Sequence, residues 1–432
     1  MWLRSCALLA LLSAAVGTQA QSANSARSAE DAALDLIPGA TQASPGPKPA
    51  SARSPVKAYA ELAVGRLDQR YESSADTYRR ASFDLLGDWK PASGWRAVFS
   101  SRVDDVHPVE PGERTTLFSL REAFVAWQSG DAGWGLDLGR LNVRHGPAYG
   151  FNPTDYFRTG ASRAVTTADP LALRENRLGT AMLRAQRLWP GGGVSLALAP
   201  KLRDTASRES FSADLGATNH SHRALLALSV QASDRVSGQV FGFHERGVGS
   251  QMGVNATALL GDSTVAFVEA SHGRGRDLFN ALLGTEPRVR TATQAAGGVT
   301  FTLPSRLALT AELQLNGFAV SESRWQSAVD QFGLEPMAAY LVAAQARQDI
   351  ASRRAALVYV TQSDAGLKNL DLTALARYNI DDRSRFFWAE ARYHFPRLDL
   401  ALQWQTNQGA AITEYGAAPG KTLVQLLVAA YF

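Results

Sequence analysis

Between residues 140 and 187 the chain carries eight arginines against only Asp155, Asp169 and Glu175. Eight against three leaves an excess of five positive charges, whereas the whole chain is only +4. A guanidinium stays charged in a protein and presents a planar fork of donors. Arranged around a narrow passage of low dielectric constant, such groups attract and select anions. Seven of them, Arg140, Arg144, Arg158, Arg163, Arg174, Arg177 and Arg184, are the candidate pore-lining residues. Facing outward, the same arginines would pair with lipopolysaccharide phosphates. Facing their own segment, they would brace it through Asp155, Asp169 and Glu175.

Other chemistry is sparse. The seven histidines are scattered singly except for His220 and His222, which with Asn219 and Ser221 read as a polar loop tip, and no metal site is expected. The sequence contains no Gly-x-Ser-x-Gly and no phosphate-binding loop. Its one cysteine, Cys6, lies in a segment expected to be removed. These absences argue against an enzyme, and no cofactor is implied. A net charge of +4 does not indicate a nucleic-acid binder.

The elements that would position the arginines follow from the compartment. Met1 to Arg4 is a short basic stretch, Cys6 to Val16 is apolar, and Gly17-Thr18-Gln19-Ala20 offers small residues at a cleavage position, so residues 1–20 read as a secretory signal peptide. Residues 21–56 are rich in Ala, Ser, Pro and Gly and read as a periplasmic linker, with a short capped helical stretch from Ser28 to Ile37. Apolar residues make up 45% of the chain and charged residues 19%, yet mean hydropathy is −0.15. No later segment has the uninterrupted apolar run a spanning helix needs, which leaves a barrel as the membrane-compatible architecture.

From residue 57 to 432 the pattern is alternation of period two. Leu307, Leu309, Ala311, Leu313 and Leu315 mark one face of a strand, and Thr310, Glu312, Gln314 and Asn316 the other. Leu398, Leu400, Leu402 and Trp404 alternate in the same way with Asp399, Gln403 and Gln405. Turn signals such as Pro91-Ala92-Ser93-Gly94, Gly130-Asp131-Ala132-Gly133 and Ser363-Asp364-Ala365-Gly366 alternate with longer connections, notably Arg144 to Asn176 and Gly317 to Ile350. The second of these holds a helix-forming stretch after Pro336, which reads either as a lid or plug or as a helix on the barrel rim. Short turns at one end and long loops at the other predict an all-β, antiparallel up-and-down transmembrane barrel of about 18 strands with two long inserts. The segments Thr115 to Gln128 and Arg235 to Glu245 alternate poorly.

The final strand is expected to present Val424, Leu426, Val428, Ala430 and Phe432 on one apolar face. A terminal aromatic residue there resembles the signature read by the barrel-assembly machinery, which makes Phe432 the candidate assembly signal. A second resemblance lies between Leu138 and Arg177. The run Leu138-Gly139-Arg140-Leu141-Asn142-Val143-Arg144-His145-Gly146, followed by Gly150-Phe151-Asn152-Pro153-Thr154-Asp155 and Arg174 to Arg177, resembles a stretch of the alginate-export-type and related porin families. That resemblance implies a Gly-Arg strand end and an Asn-Pro-x-Asp turn folded over a pore. The expectation is a porin-like channel in the Gram-negative outer membrane, surrounded by lipid and lipopolysaccharide, for small anionic solutes or oligosaccharides. The alternative is an outlet of a surface-polysaccharide export machine.

Overall fold

The computed structural model describes residues 55–70, 75–108, 115–207, 209–279, 288–332 and 335–432. The expected signal peptide and nearly all of the linker, with its Ser28 to Ile37 stretch, lie outside them. The first half of the barrel comprises β1 (Val56–Gln69), β2 (Ala75–Trp89), β3 (Trp95–His107), β4 (Thr116–Gln128), β5 (Trp134–Leu141), β6 (Thr180–Trp189), β7 (Gly192–Ala199), β8 (Arg223–Ser233) and β9 (Val236–Glu245). The second half comprises β10 (Gly249–Leu259), β11 (Thr264–Arg276), β12 (Val289–Thr302), β13 (Leu307–Asn316), β14 (Arg354–Gln362), β15 (Leu370–Asn379), β16 (Arg385–His394), β17 (Leu398–Gln408) and β18 (Gly420–Tyr431). Each strand pairs antiparallel with its sequence neighbours, and β1 pairs with β18 from Tyr59↔Tyr431 to Gln69↔Gly420. The 18-stranded sheet is therefore closed, and among the described residues no strand edge is left to hydrogen-bond with lipid or with another chain.

Side-chain placement follows the alternation. In β13, Thr310, Glu312, Gln314 and Asn316 are buried inside, while Leu309 and Leu313 face out, Leu313 at 66% exposure. Leu62, Val64, Leu136, Leu138, Leu226, Met252, Val254 and Val268 continue this exposed apolar surface around the barrel. Such a continuous apolar band suits hydrocarbon rather than water. Trp89, Trp95, Trp134 and Trp189 are also exposed, and all four flank short turns at one end of the barrel. Their amphipathic indoles suit the membrane–water boundary. At the same end Phe432 is exposed, and its backbone exchanges hydrogen bonds with Ala58. The last residue thus closes the seam between the first and last strands.

Alternation weakens for physical reasons in the two segments where it was hard to read. β4 pairs with β3 through a register shift between Ser100 and Ser101, opposite Arg121, which reverses the inside–outside phase. β9 directs Phe241 and Phe243 inward, where they join Tyr156 and Phe157 in an apolar cluster. Its inner face is apolar because protein, not water, covers it.

The second long insert forms two helices, α1 (Glu322–Phe332) and α2 (Glu335–Ala346). Trp325, Tyr340 and Ala344 pack with Leu278, Ala319, Val320 and Ala351 at the long-loop end. The Tyr340 hydroxyl donates to the Ala351 carbonyl and accepts from the Val320 N–H, so the helix pair is fixed to the rim.

Candidate pore site

The first insert, residues 142–179, leaves β5, crosses the lumen and returns to β6. Its crossing is fixed on the far wall by two buried carboxylates. Glu269 of β11 accepts from the Ala148 N–H at 3.0 Å, the Asn152 side-chain amide at 3.1 Å, the Thr154 N–H at 3.1 Å and the Thr154 hydroxyl at 2.7 Å. Glu312 of β13 accepts from the Tyr149 N–H at 2.6 Å and the Gly150 N–H at 3.2 Å. Arg377 of β15 donates to the Gly150 carbonyl at 2.9 Å. A carboxylate removed from water must be satisfied by donors, and here the insert backbone supplies them. Gly146 enters this turn with φ +88°, and a Cβ there would collide with the Glu269 carboxylate.

On the opposite wall, Arg80 and Arg102 donate to the Val165 carbonyl at 2.8 and 3.2 Å, and the Val165 N–H donates to Asp104 at 3.1 Å. Arg102 itself is held by Asp84 at 2.6 Å, Asp104 at 2.7 Å and Glu61 at 3.1 Å. Apolar packing seals the remaining sides. Tyr156 stacks on Phe243 with centroids 4.6 Å apart, and Tyr149 lies among Phe267, Leu357, Tyr359 and Trp388. The two inserts are joined by the Arg158–Asp349 ion pair at 2.6 Å and by the Gly160 N–H donating to the Ala346 carbonyl at 2.8 Å. Anchors of this kind on every side make the insert part of the lumen wall.

This arrangement divides the seven candidate arginines. Arg177 is buried against both oxygens of Asp155, at 2.7 and 3.0 Å. Arg158 also donates to the Asn152 and Asp155 carbonyls. Arg163 pairs with Asp214 at 2.8 Å, and Arg140 is buried on the carbonyls of Gly179 and Ala213. These four brace loops and are not free pore charges, because a guanidinium out of water needs acceptors on every side. Arg184 is paired with Asp137 at 2.6 Å. Of the seven, only Arg144 and Arg174 stand on the open cavity. The Arg144 side chain is 38% exposed and 3.8 Å from Glu175. Arg174 donates to the carbonyls of His145, Gly146 and Ala148.

That cavity, of about 520 Å³, lies between the insert and the short-turn end. Its charged lining comprises Glu61, Asp169, Glu175, Asp371, Glu390 and Asp399 against Arg102, Arg144, Arg174, Arg392 and His394. His394 has Asp399 at 2.9 Å from one ring nitrogen and Asp371 at 3.3 Å from the other. Carboxylates only accept, so both nitrogens must donate and the ring is cationic. Even so, among the described residues six carboxylates face five cations, and this lining is not basic. Within the insert, the Asp155 carboxyl must overcome burial, and Arg177 and Arg174 hold it below the usual carboxylate range. Burial pushes Asp169 up to about 6, against the Leu171 N–H and the Tyr359 hydroxyl. Burial also lowers His145 to about 4, which leaves it neutral.

Sequence reasoning missed Glu269, Arg377 and Asp349. Glu312 was visible on the polar face of its strand, but its role was not. A charged residue at an inward strand position was the available signal. The partner could not be read, since Asp349 lies 191 residues from Arg158.

No protein-family model matches the chain, and no curated protein matches it in sequence. Among solved structures it is similar to mutants of Rh. blastica porin. Two share 10% identity, each covering 87% of this chain and 99% of its own at a TM-score of 0.44. A third is 8% identical with a TM-score of 0.42. The closed barrel, its apolar outer band and its polar, partly filled lumen define the class by themselves: a transmembrane antiparallel β-barrel.

Proposed function

We propose that the protein is an outer-membrane channel for small hydrophilic solutes, in which the 142–179 insert forms the constriction. The observation that carries this reading is a closed barrel of 18 strands, a size whose interior is too wide for wall side chains to fill, with a polar cavity of about 520 Å³ below the insert. The anion preference expected from the arginine excess now rests on Arg144 and Arg174 alone, opposed by the carboxylates that share their cavity. We therefore assign the pore to small polar solutes without a strong anion requirement. Planar-bilayer recordings of the refolded protein test this. Discrete conductance steps, with a reversal potential near zero or on the cation side in a salt gradient, are expected. A tight barrel that conducts no ions and passes no sugar into liposomes would refute the channel reading.

A further inference from the structure

We propose that the cavity is a receptor site for a solute bearing an organic ammonium or guanidinium group, with Asp169 as its counter-charge and Tyr149, Tyr359 and Trp388 as its apolar wall. The inference rests on the lumen being open to solutes, not on its conducting ions.

Asp169 differs from the other carboxylates of this cavity. Glu390 is held at both oxygens by Arg392, at 2.8 and 2.9 Å. Asp399 takes Arg392, His394 and the Tyr431 hydroxyl, and Glu61 takes Arg80 and Arg102. Asp169 has no cationic partner among the described residues. Its Oδ1 accepts from the Leu171 N–H and the Tyr359 hydroxyl, both at 3.1 Å. Its Oδ2 accepts no hydrogen bond among the described residues, and the side chain faces the cavity. Glu390 and Glu175, which carry its own sign, are among the larger influences on it.

Aromatic rings line the same cavity as this carboxylate. Tyr149 and Tyr359 lie 5.6 Å apart between centroids, and Ala168 and Leu171, on either side of Asp169 in the chain, pack against the same cluster as Trp388. A half-satisfied carboxylate in a confined space lined by aromatic rings favours a cation, through a charge-assisted hydrogen bond and attraction to the ring quadrupoles. An anion would meet the Asp169 charge, and the cations that line the cavity are engaged elsewhere: Arg102 and Arg392 pair with carboxylates, Arg174 donates to three carbonyls and Arg144 lies 3.8 Å from Glu175.

The test uses three four-carbon probes of similar length: putrescine, butanediol and succinate. Calorimetric titration of the full chain, folded in detergent at low ionic strength, should show saturable binding of putrescine and none of the other two. D169N keeps the acceptor that caps the following helical turn, so the barrel should still migrate as a folded, heat-modifiable species. Its putrescine affinity should fall about tenfold or more, and W388L should weaken binding by a smaller factor. Succinate binding as tightly as putrescine, or D169N binding putrescine like wild type, would overturn the site. Bilayer recordings separate the two claims. Putrescine binding by a non-conducting barrel leaves the site standing and removes the channel; a conducting barrel indifferent to putrescine removes the site.

Discussion

Replacing Glu269 by alanine should loosen the insert on the far wall, where Glu312 and Arg377 still hold it, without unfolding the barrel. The Glu269 carboxylate is fully buried and accepts four hydrogen bonds from Ala148, Asn152 and Thr154. Each bond to a charged acceptor contributes roughly 1.5–3 kcal/mol, and the bonds are not additive, because water rehydrates part of what is lost. Taking the net effect as about two such bonds at the low end gives about 3 kcal/mol, or roughly a hundredfold rise in the undocked population. The strand itself keeps its backbone ladder to β10 and β12, so the sheet should remain closed. Limited digestion with trypsin reports undocking directly, since Arg158, Arg163, Arg174 and Arg177 lie in the insert. Wild type should resist cleavage there, and E269A should be cut at these sites while its barrel stays heat-modifiable, with larger and noisier single-channel conductance. Equal cleavage rates and unchanged conductance in E269A would refute the view that this carboxylate holds the constriction.

Three further outcomes are expected. Replacing Arg144 and Arg174 together by alanine should move the reversal potential toward cations, more strongly at low salt, where screening over a Debye length is weak; an unchanged potential would show that neither charge meets permeating ions. Because burial raises the folded-state pKa of Asp169 to about 6, the docked insert binds a proton more tightly than the undocked one. The Asp169 contribution to docking should therefore be greatest below the ordinary aspartate value and be lost as pH rises through about 6, a dependence D169N removes; amide hydrogen exchange across residues 167–173 measures it. Asp155 has the opposite sign, since its carboxyl is lowered, and its contribution should be lost only on acidification below the ordinary aspartate range. Finally, deleting Phe432 should slow insertion by the assembly machinery and lower the yield of heat-modifiable protein, because its backbone bonds to Ala58 help close the seam. Normal assembly kinetics would show that the terminal residue is dispensable.

The barrel was legible in the sequence because its cause is local. In β13 and β17 every second side chain meets lipid and the others meet the lumen, so period-two alternation is imposed residue by residue. Turn residues such as those around Gly94 and Gly366, both with positive φ, are also set by local backbone requirements. The arginine excess and the crossing insert were visible too, as composition and as a connection too long for a hairpin. What the sequence could not supply was the pairing. Arg158 meets Asp349, Glu269 meets the Asn152–Thr154 turn, and Tyr359 reaches Asp169, all across the barrel. Those contacts exist only once the sheet has closed, and they turn a local excess of positive charge into a set of neutralised braces. β9 shows the same limit from the other side. Its inward Phe241 and Phe243 obscure the alternation because Tyr156 and Phe157 arrive from a segment about 85 residues earlier. Alternation thus determined which residues face the lumen, while only the tertiary structure decided which of those charges remain free to meet a solute, because burial and partner, rather than residue type, fix the energy of a charge in a confined space.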